Sequence, residues 1–176
     1  MLPSARNDAR FLIDLAFAQP EMHVASPRGP LDPTAALPTW PVESQVIFKP
    51  LPSSYVAAEE SIFDASYTAG EYVPVSRVRE AYAGGPKAWD AEIKRLITVE
   101  PGAAYNQFIT SDLIWRKFDT TFMMAESLLF FEPTFRFYLR ELFLKAVDDG
   151  IGYLELRVNF LTESVRRPPG GVASAG

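Results

Sequence analysis

The chain has 176 residues, of which 48% are hydrophobic and 22% are charged, the composition of one ordinary globular domain. Its 17 basic and 22 acidic residues give a formal net charge of -5, which argues against a broad nucleic-acid interface. It contains no cysteine, which excludes disulfide bonds and zinc sites built from thiolates. No apolar run approaches the roughly 20 residues that a membrane-spanning helix requires, so we expect no membrane span.

The amino-terminal residues predict a helix followed by a short strand. Amphipathic spacing indicates a helix over residues 4 to 18 that ends before Pro20, and residues 21 to 25 predict a brief strand. Asp8 and Asp14 interrupt the apolar residues of the helix, which is unlike the core of a signal peptide. The predicted apolar face consists of Phe11, Leu12, Leu15 and Ala18.

The middle of the chain is rich in loops. Residues 26 to 54 contain seven of the chain's 15 prolines, which indicates an extended, irregular path with one strand-like piece over residues 45 to 49. Two short helices follow: one begins at Ser76 and stops at Gly84-Gly85, and the other opens with Pro86 in its first turn. The predicted apolar face of the second helix consists of Ala88, Ile93, Leu96 and Ile97.

The strongest helical signal lies in residues 111 to 149. Ser111 is a suitable cap, Pro133 divides the run into two helices, and Gly150 ends the second. Because a Phe-rich helical face is normally buried, we expect the apolar faces in the core, with a pocket wall as the second interpretation of Trp115. These faces are Trp115, Phe118, Phe122, Ala125 and Leu129 in the first helix and Phe135, Leu139, Leu142 and Ala146 in the second.

Residues 153 to 160 predict a strand with two different faces. A helix, a glycine and such a strand make half of a repeating β/α unit, and a polar strand face suits the lumen of a (β/α) barrel near its functional end. A solvent-facing edge strand is the alternative. The apolar face would consist of Leu154, Leu156, Val158 and Phe160, and the polar face of Tyr153, Glu155, Arg157 and Asn159.

No catalytic motif is present in the sequence. His23 is the only histidine, and Ala25 stands where an HxH metal pair would need the second one. Nucleophile elbows, phosphate-binding loops and dinucleotide fingerprints are absent. Paired carboxylates occur at Glu59-Glu60 and Asp148-Asp149, where we expect solvated charge. The sequence therefore predicts no catalytic residue and no metal ligand in this chain.

The long helix-to-strand stretch resembles a segment of the adenosine deaminase-related growth factors, the secreted-type adenosine deaminases. That segment runs W-x-K-F-x-x-x-F, then a G-L-L-x-Y-x-P-V-F-x-x-Y-like piece, then D-x-V-x-Y-L-E-x-R. Upstream, YVPVSRVREAYAGGPKAWD and LITVEPGAAYN are similar to the fungal branch of the family, so the resemblance covers roughly residues 10 to 163. The matching positions are Trp115, Lys117, Phe118, Phe122, Leu128, Leu129, Pro133, Phe135, Tyr138, Asp149, Tyr153, Leu154, Glu155 and Arg157.

This resemblance implies an α/β fold, a partial (β/α) barrel of the metal-dependent hydrolase type that is incomplete, mostly helical and has one or two strands. Zinc in the family activates a water that attacks C6 of adenosine to give inosine, and a glutamate handles the protons. The family's HxH pair would precede this chain, and its other ligands and HAGE-type glutamate would follow it. We therefore expect no zinc and no activity in this chain alone, with Trp115 beside the substrate pocket or, alternatively, in the core.

The resemblance also implies four segments and an extracellular location for the family. The segments are a remnant of the first β/α unit over residues 1 to 25, a family-specific insertion over residues 26 to 110, the helices and barrel strand over residues 111 to 163, and an unstructured tail over residues 164 to 176. Two alternatives stay open. One is a non-enzymatic binding module or homodimer that uses the apolar faces of residues 113 to 146, and the other is a chain that does not fold stably.

Overall fold

In the part of the chain that the structure describes, five helices and a small three-stranded sheet form a mixed α/β fold. The computed structural model describes residues 9 to 37, 45 to 99, 102, 105 and 109 to 156. The strands are β1 (Met22–Ala25), β2 (Ile47–Pro50) and β3 (Val73–Pro74). The helices are α1 (Ala9–Phe17), α2 (Val75–Ala81), α3 (Gly85–Leu96), α4 (Ser111–Leu129) and α5 (Glu132–Asp148).

The sheet is antiparallel throughout and has β1 in its centre, with β2 on one side and β3 on the other. Val24 of β1 lies opposite Phe48 of β2 and opposite Val73 of β3. All four residues of β1 are buried, so both faces of the sheet centre are covered. The strands predicted over residues 21 to 25 and 45 to 49 are confirmed. The sequence did not predict β3, because its two residues include a proline and become a strand only by pairing with β1.

Helix α1 buries a different face from the one predicted. Its buried residues are Leu12, Ile13, Ala16 and Phe17, whereas Ala18 lies beyond its end and is exposed. The Phe17 ring lies 5.4 Å from the Phe48 ring of β2, between their centroids. The helix therefore turns its Phe17 side towards the sheet. Phe11 is only partly buried, and its ring stacks on that of Tyr138 with centroids 6.1 Å apart.

A buried carboxylate connects the first three helices. Asp90 of α3 is 1% exposed and accepts two hydrogen bonds of 2.8 Å from the Arg79 guanidinium of α2. The Arg10 guanidinium of α1 lies 3.2 Å from the same carboxylate. Two cations offset the cost of removing one carboxylate from water. Trp89, beside Asp90, is fully buried and takes the place in the core that the sequence pattern gives to Ala88.

The junction between the last two helices is largely as predicted. Helix α4 ends at Leu129 and Pro133 lies in the first turn of α5, where a missing backbone N–H costs least. The predicted cap of α4 is wrong by one residue. Thr110, not Ser111, caps the helix, and its side-chain oxygen accepts a hydrogen bond of 3.4 Å from the backbone N–H of Leu113.

Gly150 ends α5 in the way that the sequence predicts. Its φ of +74° is a left-handed conformation that favours glycine. The Gly150 N–H donates to the Val147 carbonyl, and the Ile151 N–H donates to the Ala146 carbonyl. These two bonds form a Schellman motif, which satisfies carbonyl groups that the helix leaves without a partner.

The strand predicted over residues 153 to 160 is wrong in its described part. Residues 151 to 156 form no strand, and both Tyr153 and Leu154 are exposed although they belong to opposite predicted faces. Residues 157 to 160 and the tail predicted over residues 164 to 176 lie outside the described residues. A strand needs a neighbour to complete its backbone hydrogen bonds, and none of the three described strands lies beside this segment.

The predicted α/β class is confirmed, whereas the described residues do not form a barrel. Every strand pair among them is antiparallel, and β2 and β3 are the two edge strands of the described sheet. A (β/α) barrel requires parallel strands that close on themselves. None of the described helices is long and apolar enough to cross a membrane.

Candidate binding surface on the last two helices

Three large aromatic side chains of α4 face solvent, and we call Trp115, Phe118 and Phe122 the aromatic row. Their side chains are 65%, 48% and 56% exposed. The Trp115 and Phe118 rings meet edge to face with centroids 5.7 Å apart, and the Phe118 and Phe122 rings stack at 6.3 Å. The expectation that this face lies in the core is therefore wrong for its three aromatic residues, and Trp115 is not a core tryptophan, whereas Ala125 and Leu129 are partly buried against the core.

The neighbouring end of α3 explains why the aromatic row faces outwards. Helix α4 buries the stripe Lys117, Thr121, Met124 and Leu128. The Lys117 Nζ and the Thr121 Oγ1 lie 3.5 Å and 3.4 Å from the Leu96 carbonyl oxygen at the end of α3. The last carbonyls of a helix lack donors within it, so a buried helix end needs donors from a neighbour. This stripe occupies the inner side of α4 and leaves the aromatic row on the outer side.

An open apolar groove lies beside the aromatic row, between α1, α4 and α5. Its cavity has a volume of about 320 Å³, within the range of small-molecule sites. Phe122 belongs both to the aromatic row and to this groove. The α5 wall is the face predicted from the sequence and includes Phe135, Leu139 and Leu142, while Ala146 is buried.

Among the residues that the structure describes, Glu126 of α4 is the only carboxylate or basic residue that lines the groove. Its side chain is half-buried, and no described residue forms a hydrogen bond or an ion pair with its carboxylate. The basic residues of α5 pair along their own helix: Arg136 with Glu132 at 3.3 Å, Arg140 with Glu141 at 2.6 Å and Lys145 with Asp149 at 3.3 Å. The groove therefore combines apolar walls with one negative charge.

The structure does not place Trp115 in this groove. Trp115 lies near the beginning of α4 and is absent from the groove lining, although the aromatic row leads from it to Phe122 at the groove edge. Its predicted position beside a substrate pocket stays a prediction. Glu126 is not among the site residues predicted from the sequence, although its helical spacing from Phe122 and Leu129 places it on the same apolar face.

His23 and the paired carboxylates lie away from this surface. His23 is buried in β1, where its Nδ1 donates a hydrogen bond of 2.7 Å to the Glu21 carbonyl and its ring meets Tyr55 edge to face. Glu59-Glu60 and Asp148-Asp149 are exposed, as predicted. Within the described parts of the chain, no three His, Asp or Glu side chains come together in a group that could hold a metal ion.

Comparisons with protein-family models, with curated proteins and with solved structures found no match to this chain.

Proposed function

We propose that this chain is part of a zinc-dependent adenosine deaminase of the growth-factor-related type, and that it does not carry the catalytic centre itself. The proposal begins from the family resemblance of the stretch between Trp115 and Arg157. Two features of that stretch support it. Pro133 matches the family proline and lies in the first turn of α5, and the matched Asp149 is the C-cap residue of that helix before the turn at Gly150.

The observation that carries the proposal is the apolar surface that α4 and α5 leave exposed. In a complete (β/α) barrel, helices turn an apolar face towards the strands. The aromatic row is a face of this kind, and the three described strands do not cover it. Further barrel strands, supplied by other parts of the complete enzyme, are the partner that the family fold would place on the aromatic row.

This chain's own residues do not fit a zinc site. His23 is its only histidine, and the Nδ1 of that ring donates to a backbone carbonyl within a buried strand. Zinc sites in hydrolases draw at least three ligands from histidine and carboxylate side chains. We therefore assign no step of deamination to the residues of this chain, and Trp115 is proposed only as a contact for the nucleoside.

The proposal is tested first on the transcript that encodes the chain. We expect an HxH motif upstream and an HAGE motif downstream in one continuous reading frame. If neither motif is present, the proposal that the chain is part of a working deaminase is contradicted. A second test incubates the purified chain with adenosine, with and without zinc, and follows inosine by ultraviolet absorbance. We expect no inosine, and zinc-dependent inosine formation would contradict the assignment of the catalytic centre to other residues.

The exposed aromatic row also favours a second candidate function, a binding module that forms a homodimer. Contiguous exposed apolar surface of this kind usually marks an interaction site. The test is the mass of the purified chain by size-exclusion chromatography with light scattering over a range of concentrations. A dimer that Phe118→Asp converts to a monomer supports this function, whereas a monomer at every concentration contradicts it.

A further inference from the structure

We propose that the groove between α1, α4 and α5 is a site for a small apolar ligand that carries one positive charge, with Glu126 as its counter-ion. An alkyl or aromatic amine and a quaternary ammonium share this chemistry. The proposal does not depend on the deaminase assignment, because it rests only on the lining of the groove.

The shape of the groove suits a small molecule. A volume of about 320 Å³ accommodates one ring with a short alkyl chain, and its walls are almost entirely apolar. Apolar walls stabilise a ligand by removing its hydrocarbon from water, but they do not select its charge. Selection must therefore come from the few polar groups in the groove.

Glu126 supplies that selection. Its carboxylate is half-buried among apolar side chains, and no described residue neutralises it. The nearby basic residues of α5 already form ion pairs with Glu132, Glu141 and Asp149. A carboxylate in partly apolar surroundings gains more from a cationic partner than one in open water does, because the local dielectric constant is lower.

Aromatic rings in the groove favour the same ligand charge. Phe130 and Phe135 both line it and stack on each other with centroids 5.7 Å apart. The faces of aromatic rings carry negative electrostatic potential and attract ammonium groups within about 6 Å. Carboxylate and rings thus act together on a cation, whereas an anion of the same shape meets repulsion from Glu126.

The test uses three probes with one apolar body and different charges: phenylbutylamine, phenylbutanol and phenylbutanoate. Their dissociation constants for the full chain are measured by ligand-observed NMR titration at neutral pH and low salt. We expect the amine to bind about fivefold more tightly than the alcohol, and the carboxylate to bind more weakly than both. Equal affinities for the three probes, or no binding by any of them, would overturn the proposal.

Three variants test whether the preference for the amine over the alcohol arises in the groove. We expect Glu126→Gln to bind the amine and the alcohol equally, whereas Glu80→Gln, at an exposed position of α2, keeps the wild-type ratio. Leu139→Trp fills the groove and should weaken all three probes. A preference for the amine that persists in Glu126→Gln, or full binding in Leu139→Trp, contradicts the proposal.

The wild-type chain provides a test that needs no variant. Raising the salt concentration to about 1 M shortens the screening length to about 3 Å, so the advantage of the amine over the alcohol should shrink while alcohol binding persists. An advantage that does not change with salt overturns the role of Glu126. Circular dichroism of each variant checks that the fold is retained.

Discussion

The region formed by α1 to α3 with the sheet and the α4–α5 pair differ in how completely each covers its own apolar side chains. In the first region, Trp89 and Val24 are fully buried, and Asp90 is matched by two cations. In the α4–α5 pair, Trp115 and Phe122 are more than half exposed. This difference shows that an aromatic helix face need not be buried. The carbonyl groups at the end of a neighbouring helix need hydrogen-bond donors, and this need can determine which side of a helix faces the core.

The largest effect is expected at the carboxylate that connects the first three helices. Asp90→Ala leaves the Arg79 guanidinium next to the core without its partner, and we expect a loss of about 3 kcal/mol in the free energy of unfolding. Urea denaturation followed by circular dichroism measures it. Glu80→Gln, at an exposed position beside Arg79 in the chain, is the control and should stay within about 0.5 kcal/mol of wild type. A similarly small effect for Asp90→Ala would contradict the structure.

A pair of substitutions on α4 sharpens the comparison within one helix. Leu128 is fully buried and Phe122 is 56% exposed. We expect Leu128→Ala to lower the free energy of unfolding by about 3 kcal/mol. Phe122→Ala, although it removes the larger side chain, should change that free energy by less than about 0.5 kcal/mol. The reverse order in denaturant unfolding would show that the aromatic row faces the core.

A substitution at Tyr67, in the first region, is expected to have an intermediate effect on the free energy of unfolding. Its hydroxyl accepts a hydrogen bond of 3.0 Å from the Ser26 N–H and donates one of 2.5 Å to the Glu71 carbonyl. Tyr67→Phe leaves the buried Ser26 N–H without this acceptor, and we expect a loss of about 1 to 2 kcal/mol in the free energy of unfolding. Unfolding in urea measures the loss, and an unchanged midpoint would contradict the hydrogen bonds.

The same residue predicts a dependence on pH. Burial raises the pKa of the Tyr67 hydroxyl above its usual value, so the folded chain holds this proton more tightly than the unfolded chain does. Its contribution to stability is complete below about pH 10, the usual value for tyrosine, and is lost as the pH rises through the raised pKa. The stability of wild type should therefore fall more steeply above pH 10 than that of Tyr67→Phe. If the stability of wild type and of Tyr67→Phe falls equally with pH above pH 10, the raised pKa of Tyr67 is contradicted.

The smallest effect is expected at the end of α5. Gly150→Ala places a Cβ on a residue with φ of +74°, which costs about 1 kcal/mol. Gly152→Ala is the matched control, because Gly152 has no left-handed φ and open space around its Cα. Thermal unfolding of both variants gives the comparison. Equal melting temperatures would mean that the Schellman motif does not form.

The features that could be predicted from the sequence are those that single residues determine. Pro133 lies in the first turn of a helix, Gly150 ends one, and the short apolar runs at residues 21 to 25 and 45 to 49 become strands. Each outcome follows from local backbone chemistry, which a sequence displays directly. The face predicted for α5 has the right helical spacing, but its expected place in the core is wrong: Phe135, Leu139 and Leu142 line the open groove, and only Ala146 is buried.

The features that could not be predicted depend on partners distant in the chain. Strand β3 exists only through its pairing with β1, and the strand predicted from residue 153 finds no neighbour among the described strands. The inward side of α4 depends on the Leu96 carbonyl, which Lys117 and Thr121 approach from 21 and 25 residues away in sequence. At the candidate site, helical spacing could have identified Glu126, but not the groove around it.

One measurement tests the orientation of α4 most directly, and the absence of cysteine in the chain makes it simple. Met123 is 68% exposed, and its neighbour Met124 is 4% exposed. Single variants Met123→Cys and Met124→Cys are labelled with a thiol reagent under native conditions. We expect the Met123 variant to react like a free thiol and the Met124 variant at least about a hundredfold more slowly, since its thiol is reached only when the helix opens. Equal rates, or a faster Met124 variant, would show that the stripe of Lys117 to Leu128 does not face the core.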